Sequence, residues 1–292
     1  MKKLNTLISN KNLIIKTKKY TSIIGRSPSK GARSPKLWNR AFKKYGIKNE
    51  MVPLDVKNSK LTKLLKFLES DRNFIGGCIT VPHKEKVFKW LGKKISKTSR
   101  KIGAVNCLFR DKNGKLIGTN TDGEAALKSF ENKFGTVKNK NILLLGPGGA
   151  GKAVASYFSN ALRKDKNLII TGRSLNSKKF SKKIRAKWLN FKDISTLNFK
   201  KIDVVINCTS LGFSSKIKKS PLSILHLSKL PKSSKVFDII YDPNETLLIK
   251  AAKKKKLKTL NGLEMNLIQA VLAFNYVNKK RSKNLLTLKY MR

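Results

Sequence analysis

Three groups of residues in this chain have the types and spacing for chemistry. The first is Gly146-Pro147-Gly148-Gly149-Ala150-Gly151, which matches G-x-G-x-x-G and follows four apolar residues, Ile142 to Leu145. Glycine removes the Cβ, so the backbone can turn tightly and approach a pyrophosphate, whose charge then rests on the next helix N-terminus. With Lys152, the same letters fit most of G-x-x-x-x-G-K, the phosphate loop of triphosphate enzymes. That motif next needs Ser or Thr to hold magnesium, and Ala153 has no oxygen to offer. Strand before, helix after and the missing hydroxyl point to a dinucleotide.

The second group follows the next apolar run, Asn167 to Thr171. An NAD site places a carboxylate there for the ribose 2′-hydroxyl. This chain has Gly172-Arg173-Ser174, with Lys178 and Lys179 close behind. A carboxylate would repel a 2′-phosphate, whereas a guanidinium stacks on adenine and pairs with the phosphate. NADP is the expected cofactor.

The third group is built from polar residues at the ends of apolar runs. Phe74 to Val81 reads as a strand, and Pro82-His83-Lys84 follows it, with Thr80 just inside. Lys84 so placed points into a cleft or is one more surface lysine; His83 reads as a loop residue and not as a ligand. Asp122, beside Asn120 and Thr121, is a catalytic candidate or the N-cap of the helix GEAALKSF. Asn106 reads as lying within an apolar strand, Lys101 to Leu108, where its amide must find partners as a structural bracket or a substrate hook. Ser34 before Pro35 reads as an N-cap with Pro at N1. The hydroxyl and free amides there would also suit a carboxylate.

Strands alternating with helices are needed to position these groups. Strands are expected at Tyr20 to Gly25, Met51 to Val56, Asp203 to Cys208, Lys235 to Ile240 and Lys258 to Leu260, with a hairpin turn at Asp111 to Gly114. Helices are expected at Leu61 to Glu69, with Leu61, Leu64, Leu65 and Leu68 on one face, and at Thr246 to Lys253. A final amphipathic helix follows Gly262 and carries Gln269, a surface polar residue unless that face turns to the cleft. Such alternation is an α/β architecture, whose ligands bind at the carboxyl edge of the sheet. Thr209 to Gly212 and Tyr241-Asp242-Pro243 would lie along that edge.

At 292 residues, one large or two medium domains are expected. The 66 Lys and Arg against 16 Asp and Glu give a charge of +50, a field that draws in anionic cofactors and substrates. The lysines are spread along the whole chain, which argues against a nucleic-acid partner and for a compositional bias coating an ordinary fold. Three cysteines without C-x-x-C spacing and two histidines argue against a metal site. Asn and Ser interrupt the basic N-terminus too early for a signal peptide, and no run approaches the roughly 20 apolar residues of a membrane span. A soluble, cytoplasmic monomer or homodimer is expected.

Seven stretches, ITVPHKE, IGAVNC, GTNTDG, GPGGAGKA, INCTSLG, DIIYDP and GLEMNLIQA, resemble in their order the shikimate dehydrogenase family. The resemblance covers nearly the whole chain. It implies an N-terminal αβ substrate domain, 1–124 completed by 264–292, and a Rossmann-like NADP domain, 125–263, with the last helix returning to the first domain. It implies reduction of 3-dehydroshikimate, a cyclic keto carboxylate, to shikimate with NADPH. Lys84 resembles the catalytic lysine and Asp122 its partner. Ser34, Thr80, Asn106, Tyr241 and Gln269 resemble the substrate contacts. Gly146, Gly148, Gly149, Ala150, Gly151, Arg173, Ser174, Ile239 and Gly262 resemble the cofactor contacts.

The chain departs from the family at three positions. Ala32 stands where the first serine of Ser-x-Ser is usual, Cys78 where Asn precedes Ile79-Thr80, and Gly172 where Asn precedes the arginine. The first departure leaves Arg33 or Lys30 as alternative carboxylate ligands. It also keeps open a relative acting on quinate, aminoshikimate or another cyclic hydroxy acid. A non-catalytic sensor of the pathway is the reading from another class, and the intact Lys84 and Asp122 argue against it.

Overall fold

The period of apolar residues along each strand decides which faces are covered. The structure, a computed structural model, describes residues 2–10, 13–162, 167–279 and 283–292. It divides into two compact units, Met1–Thr121 with Leu267–Arg292, and Asp122–Asn266.

The first unit runs α1 (Lys2–Leu7), β1 (Lys19–Gly25), α2 (Ser34–Lys44), β2 (Asn49–Asp55), α3 (Leu61–Ser70), β3 (Phe74–Ile79), α4 (Lys84–Leu91), α5 (Lys97–Ile102), β4 (Cys107–Arg110) and β5 (Leu116–Thr119). Its sheet has the order β2-β1-β3-β4-β5, with β1 parallel to both β2 and β3 and the later pairs antiparallel. Alternate residues of a strand face opposite sides. Tyr20 and Ile24 therefore pack with Phe74, Ile79 and the Leu61, Leu64, Leu65, Leu68 face of α3. Ile23 points the other way, with Met51 and Cys78, onto Trp38 and Phe42 of α2.

The second unit runs α6 (Asp122–Phe134), β6 (Ile142–Leu145), α7 (Gly149–Ala161), β7 (Leu168–Gly172), α8 (Leu175–Lys183), β8 (Lys187–Asn190), β9 (Val204–Asn207), α9 (Ile224–Ser228), β10 (Lys235–Asp238), α10 (Leu247–Lys254) and β11 (Lys258–Leu260). Its six strands are parallel in the order β11-β10-β9-β6-β7-β8. The order reverses between β6 and β9, the switch point where such sheets open a crevice for ligands. Leu145 pairs with both Thr171 and Asn207, and Asn207 with Asp238, which aligns four strand ends along one edge. Leu143, Leu145, Val205 and Val236 pack on one face with Leu248 and Ala252 of α10. Facing rings of Phe130, Phe158 and Phe237 join α6, α7 and β10.

α11 (Leu263–Val277) and α12 (Asn284–Met291) finish the chain. From Leu267 onward they complete the first unit, where Phe274 packs 5.2 Å from Trp38 and 5.0 Å from Phe42. The last helix expected from sequence is thus followed by one more, α12. α12 is fixed by Tyr45, whose hydroxyl lies 2.7 Å from Thr287 Oγ1, which in turn donates to Asn275 Oδ1.

The structure revises three local readings. Asn106 is not inside a strand: β4 begins at Cys107, and Lys101 and Ile102 close the helix α5. The helix after the first loop starts at Ser34, with Arg33 in the N-cap position and no side chain capping it. Gln269 is buried, 9% exposed, instead of lying on the surface. His83 keeps the loop position read from the sequence, buried at the N-cap of α4. Among the described residues no helix is long and apolar enough to cross a membrane, and no group of three or more His, Cys, Asp or Glu side chains could hold a metal ion.

Candidate active site

In the first unit the candidate residues gather where β3 ends and β4 begins. Thr80 follows β3, and its backbone N–H donates to Ile24 O. Lys84 opens α4, half-buried, and its carbonyl accepts from Val105 N at 3.0 Å. That bond brings the lysine's backbone beside Asn106. The amide of Asn106 acts as a bracket. Its Oδ1 accepts from Thr121 N (2.8 Å), and its Nδ2 donates to Thr121 Oγ1 (3.0 Å) and Gln269 Oε1 (3.4 Å). A hydroxyl that accepts from Asn106 keeps its own proton for Gln269 O, 3.2 Å away. Thr121 is therefore the hub, joining the head of β4 to α11. Its neighbours lie far off in sequence, so spacing alone gave no sign of it.

Two buried groups hold the surroundings. Asp55, at the end of β2, accepts from Ser29 N (2.9 Å) and Ser29 Oγ (2.5 Å) and so pins the polar loop before α2. Arg26 N donates to Val81 O, tying that loop to the segment leading into Lys84. His83 Nε2 lies 3.0 Å from Val56 O and acts as the donor to that carbonyl. Burial holds the ring's pKa below its usual value, with the Val56 bond opposing and Lys86 and Arg26 assisting. Ser34 stands on a different element, buried in the first turn of α2.

In the second unit the glycine-rich turn joins β6 to α7. Gly146 has φ 85°, and a Cβ on it would fall 2.7 Å from Thr209 Cγ2. A Cβ on Gly151 would fall 2.2 Å from Gly146 O, so the turn closes only with glycine at both ends. Gly148 caps α7 with no side-chain hydrogen bond, and a Cβ there would meet nothing within 4 Å. An uncapped helix start facing open space fits a pyrophosphate, whose oxygens would accept from the first amides. Lys152 Nζ sits over the Phe180 ring, 5.9 Å from its centroid, a position unlike that of a triphosphate-loop lysine.

At the end of β7, Arg173 and Ser174 are exposed, and Ser174 caps α8 by accepting from Ser177 N. The glycine ahead of them has a local cause. A Cβ on Gly172 would lie 2.4 Å from Ser177 Oγ, so an asparagine does not fit beside that serine. Ser177 Oγ donates to Ser174 O and accepts from Trp188 Nε1 at 3.1 Å, and Lys178 Nζ lies 5.5 Å from the centre of the Trp188 ring. Elsewhere on this edge Gly262 N donates to Ile240 O, and a Cβ on Gly262 would fall 2.0 Å from Ile239 O. Ile239 and Gly262, far apart in sequence, are thus in backbone contact. Tyr241 follows, partly exposed.

Asp122 begins α6 and is buried, 4% exposed, at an end where a carboxylate is favoured by the helix dipole. α6 and α7 cross so closely that a Cβ on Gly123 would fall 2.3 Å from Ala153 O. On the edge of the second sheet, Asn207, Asp238 and Thr246 form a further bonded set. Its signal in the sequence is an acid ending the apolar run KVFD in a chain with only 16 acids.

The chain is similar to known proteins along most of its length. Residues 23–108 match the model of the shikimate dehydrogenase substrate binding domain, and residues 128–239 that of shikimate / quinate 5-dehydrogenase. A shikimate dehydrogenase (NADP(+)) of Methanocaldococcus jannaschii is 37% identical over 263 residues, 88% of this chain and 90% of that protein. One from Caldanaerobacter subterraneus is 34% identical over 88% of this chain and 91% of that protein. Among solved structures, a shikimate dehydrogenase in complex with NADP+ superposes with TM-score 0.80 at 32% identity, covering 94% of this chain and 95% of that one. The shikimate dehydrogenase of Aquifex aeolicus gives 0.81 at 28% identity, covering 96% of this chain and 100% of that one. The alignments run almost end to end in sequence and in fold, and the chain belongs to the shikimate dehydrogenase family.

Proposed function

We infer that this protein catalyses the reversible NADP-dependent reduction of 3-dehydroshikimate to shikimate. The observation that carries the reading is the near-complete alignment with relatives of that name. Arg173 and the lysines after it, which suit a 2′-phosphate, support it independently. When bound, NADPH supplies the hydride to the ketone carbon. Gly146, Gly148, Gly149, Ala150 and Gly151 receive the pyrophosphate at the head of α7, Arg173 and Ser174 take the adenosine 2′-phosphate, and Ile239 and Gly262 line the remainder of the cofactor site. Lys84 gives one proton to the oxygen of the reacting carbonyl and takes it back in the reverse direction, with Asp122 as the carboxylate of the pair. Ketone, hydride and proton then balance as alcohol.

Thr80, Asn106, Gln269 and Tyr241 orient the ring hydroxyls, and Ser34 binds the carboxylate. This assigns most of the substrate role to the residues through Thr121 and from Leu267 onward, and the cofactor role to the stretch between, which also supplies Asp122 and Tyr241. The three cysteines are free, which supports a reducing cytoplasm, and the assembly is read as a monomer or homodimer. A second reading, a relative acting on quinate or another cyclic hydroxy acid, is favoured by Ala32 in the carboxylate loop.

NADP+ reduction with shikimate, wild type beside Lys84→Ala, tests the assignment. The variant should bind NADPH normally and lose kcat by about 10²–10⁴-fold. Turnover surviving in the variant would remove Lys84 from the mechanism. Turnover with quinate alone would select the second reading.

A further inference from the structure

The carboxyl edge of the second unit holds a buried acid to which the reaction just described gives no part. Asp238 ends β10 and is fully enclosed. The groups bonded to it are neutral donors. Oδ1 accepts from Asn207 Nδ2 (3.0 Å) and Ile240 N (3.1 Å), and Oδ2 accepts from Thr246 Oγ1 (2.7 Å).

Each bond leads to a different piece of the edge. Because Asn207 turns its Nδ2 to the carboxylate, its Oδ1 faces Thr209, accepting from the backbone N–H (2.9 Å) and from Oγ1 (2.8 Å). Thr209 Oγ1 accepts in turn from Leu211 N, and the same threonine presses on Gly146, where a Cβ would meet Thr209 Cγ2 at 2.7 Å. The other oxygen holds Thr246, which caps α10 by accepting from Ile249 N. Ile240 N, the third donor, belongs to the residue before Tyr241.

We propose that Asp238 is a positioning residue with two separable arms. Through Asn207 and Thr209 it sets the glycine-rich turn that receives the dinucleotide; through Ile240 and Thr246 it sets the loop that carries Tyr241. The inference rests on the cofactor and substrate roles proposed above.

The chemistry of the acid supports a role beyond holding the fold together. Three donors converge on it, and only the ionised form accepts from all of them without presenting a hydrogen of its own. Burial raises its pKa from 3.8 to about 6, although its bonds to Thr246, Ile240 and Asn207 pull the other way. The titratable groups around it add no positive charge. Cys208, after β9, is itself pushed up by burial and then by Asp238 and Asp122, the acid that opens α6, while α10 contributes the Thr246 hydroxyl. At neutral pH the fold therefore carries a charge that opposes its own stability.

The test uses the full chain with Asp238→Asn, Asn207→Ala and Thr246→Val. It measures NADPH Kd by titration, shikimate KM and kcat by turnover, and Tm at pH 8. Asp238→Asn should weaken NADPH about tenfold with Tm unchanged or higher, where a merely structural acid would lower Tm. Asn207→Ala should raise NADPH Kd and leave shikimate KM within about twofold, and Thr246→Val should do the reverse. A fall in Tm with unaltered Kd in Asp238→Asn would overturn the inference, as would equal shifts of both constants in the other two variants. Should Asp238→Asn fail to fold, that pair decides alone. Wild type that binds NADPH but leaves shikimate unchanged would overturn the proposed substrate, while Asn207→Ala still decides the cofactor arm.

Discussion

Each unit ties its candidate site with a buried polar knot, and the two knots differ by one charge. In the first, Asn106, Thr121 and Gln269 join amides and a hydroxyl. In the second, Asn207 and Thr246 converge on the carboxylate of Asp238. A neutral knot can rewire, because amides turn over and a hydroxyl gives or accepts. A carboxylate only accepts, so it dictates the direction of every bond around it. The first knot tolerates; the second orients.

The sharpest way to break that contrast is to add an acid to each knot. Asn207→Asp sets a second carboxylate about a hydrogen-bond length from Asp238 and should cost about 3 kcal/mol in urea denaturation at pH 8. Asn106→Asp can be met by turning Thr121 and Gln269 to donate, and should cost about half as much. Adding Asp238→Asn to Asn207→Asp should restore most of the loss. Equal costs at the two sites, or no rescue, would erase the distinction.

The pH dependence sharpens it further, because the titrating groups of the two units act in opposite directions. Between 3.8 and about 6 the folded chain holds a proton on Asp238 that the unfolded chain has released. Stability from this group is therefore full below 3.8 and is lost as pH rises through about 6, by about 3 kcal/mol in all. His83, held below 6.5 by burial, works the other way: the unfolded chain takes the proton first, so stability falls as pH drops below 6.5. Denaturation midpoints from pH 4 to 8 should lose the Asp238 slope in Asp238→Asn, and the His83 ring should titrate below its usual range by NMR. A variant with the wild-type slope would place the titration on some other group. The smallest effect is the control outside both knots. Lys128→Ala, which removes the i,i+4 pair with Glu124, should cost no more than about 0.5 kcal/mol.

How much was legible follows from what each residue needed to know. Ile142 to Leu145 could be read because a strand covered on both faces is apolar throughout, whatever its partners. The leucine face of α3 could be read because its period is local. Asn106 was set inside a strand because Ile102, Ala104 and Val105 are apolar and buried, yet they serve a helix end and a bend. Gln269 looked like a surface residue because the amide and the hydroxyl that enclose it come from residues 106 and 121. Asp238 shows in the sequence only as an anomaly, an acid closing an apolar run, with nothing local to say what it binds. β8 and α12 lack a strong period, and they are fixed by Trp188, Tyr45 and Thr287, whose contacts lie elsewhere in the chain. Local pattern supplied the elements, and long-range hydrogen bonds decided the site.

The division of the chain has a consequence for its synthesis. The first unit opens the sequence but is finished by Leu267–Arg292, while Asp122–Asn266 is continuous. A ribosome delivers Trp38 and Phe42 before the middle stretch and Phe274, the ring that covers them, only after it. The middle stretch has all its strands in hand before the opening stretch has its lid, and the order of completion is the reverse of the order of translation. A nascent chain that stops short of Leu267 leaves Trp38 and Phe42 without the ring that covers them, and the aromatic surface of the first unit stays open for as long as the stall lasts.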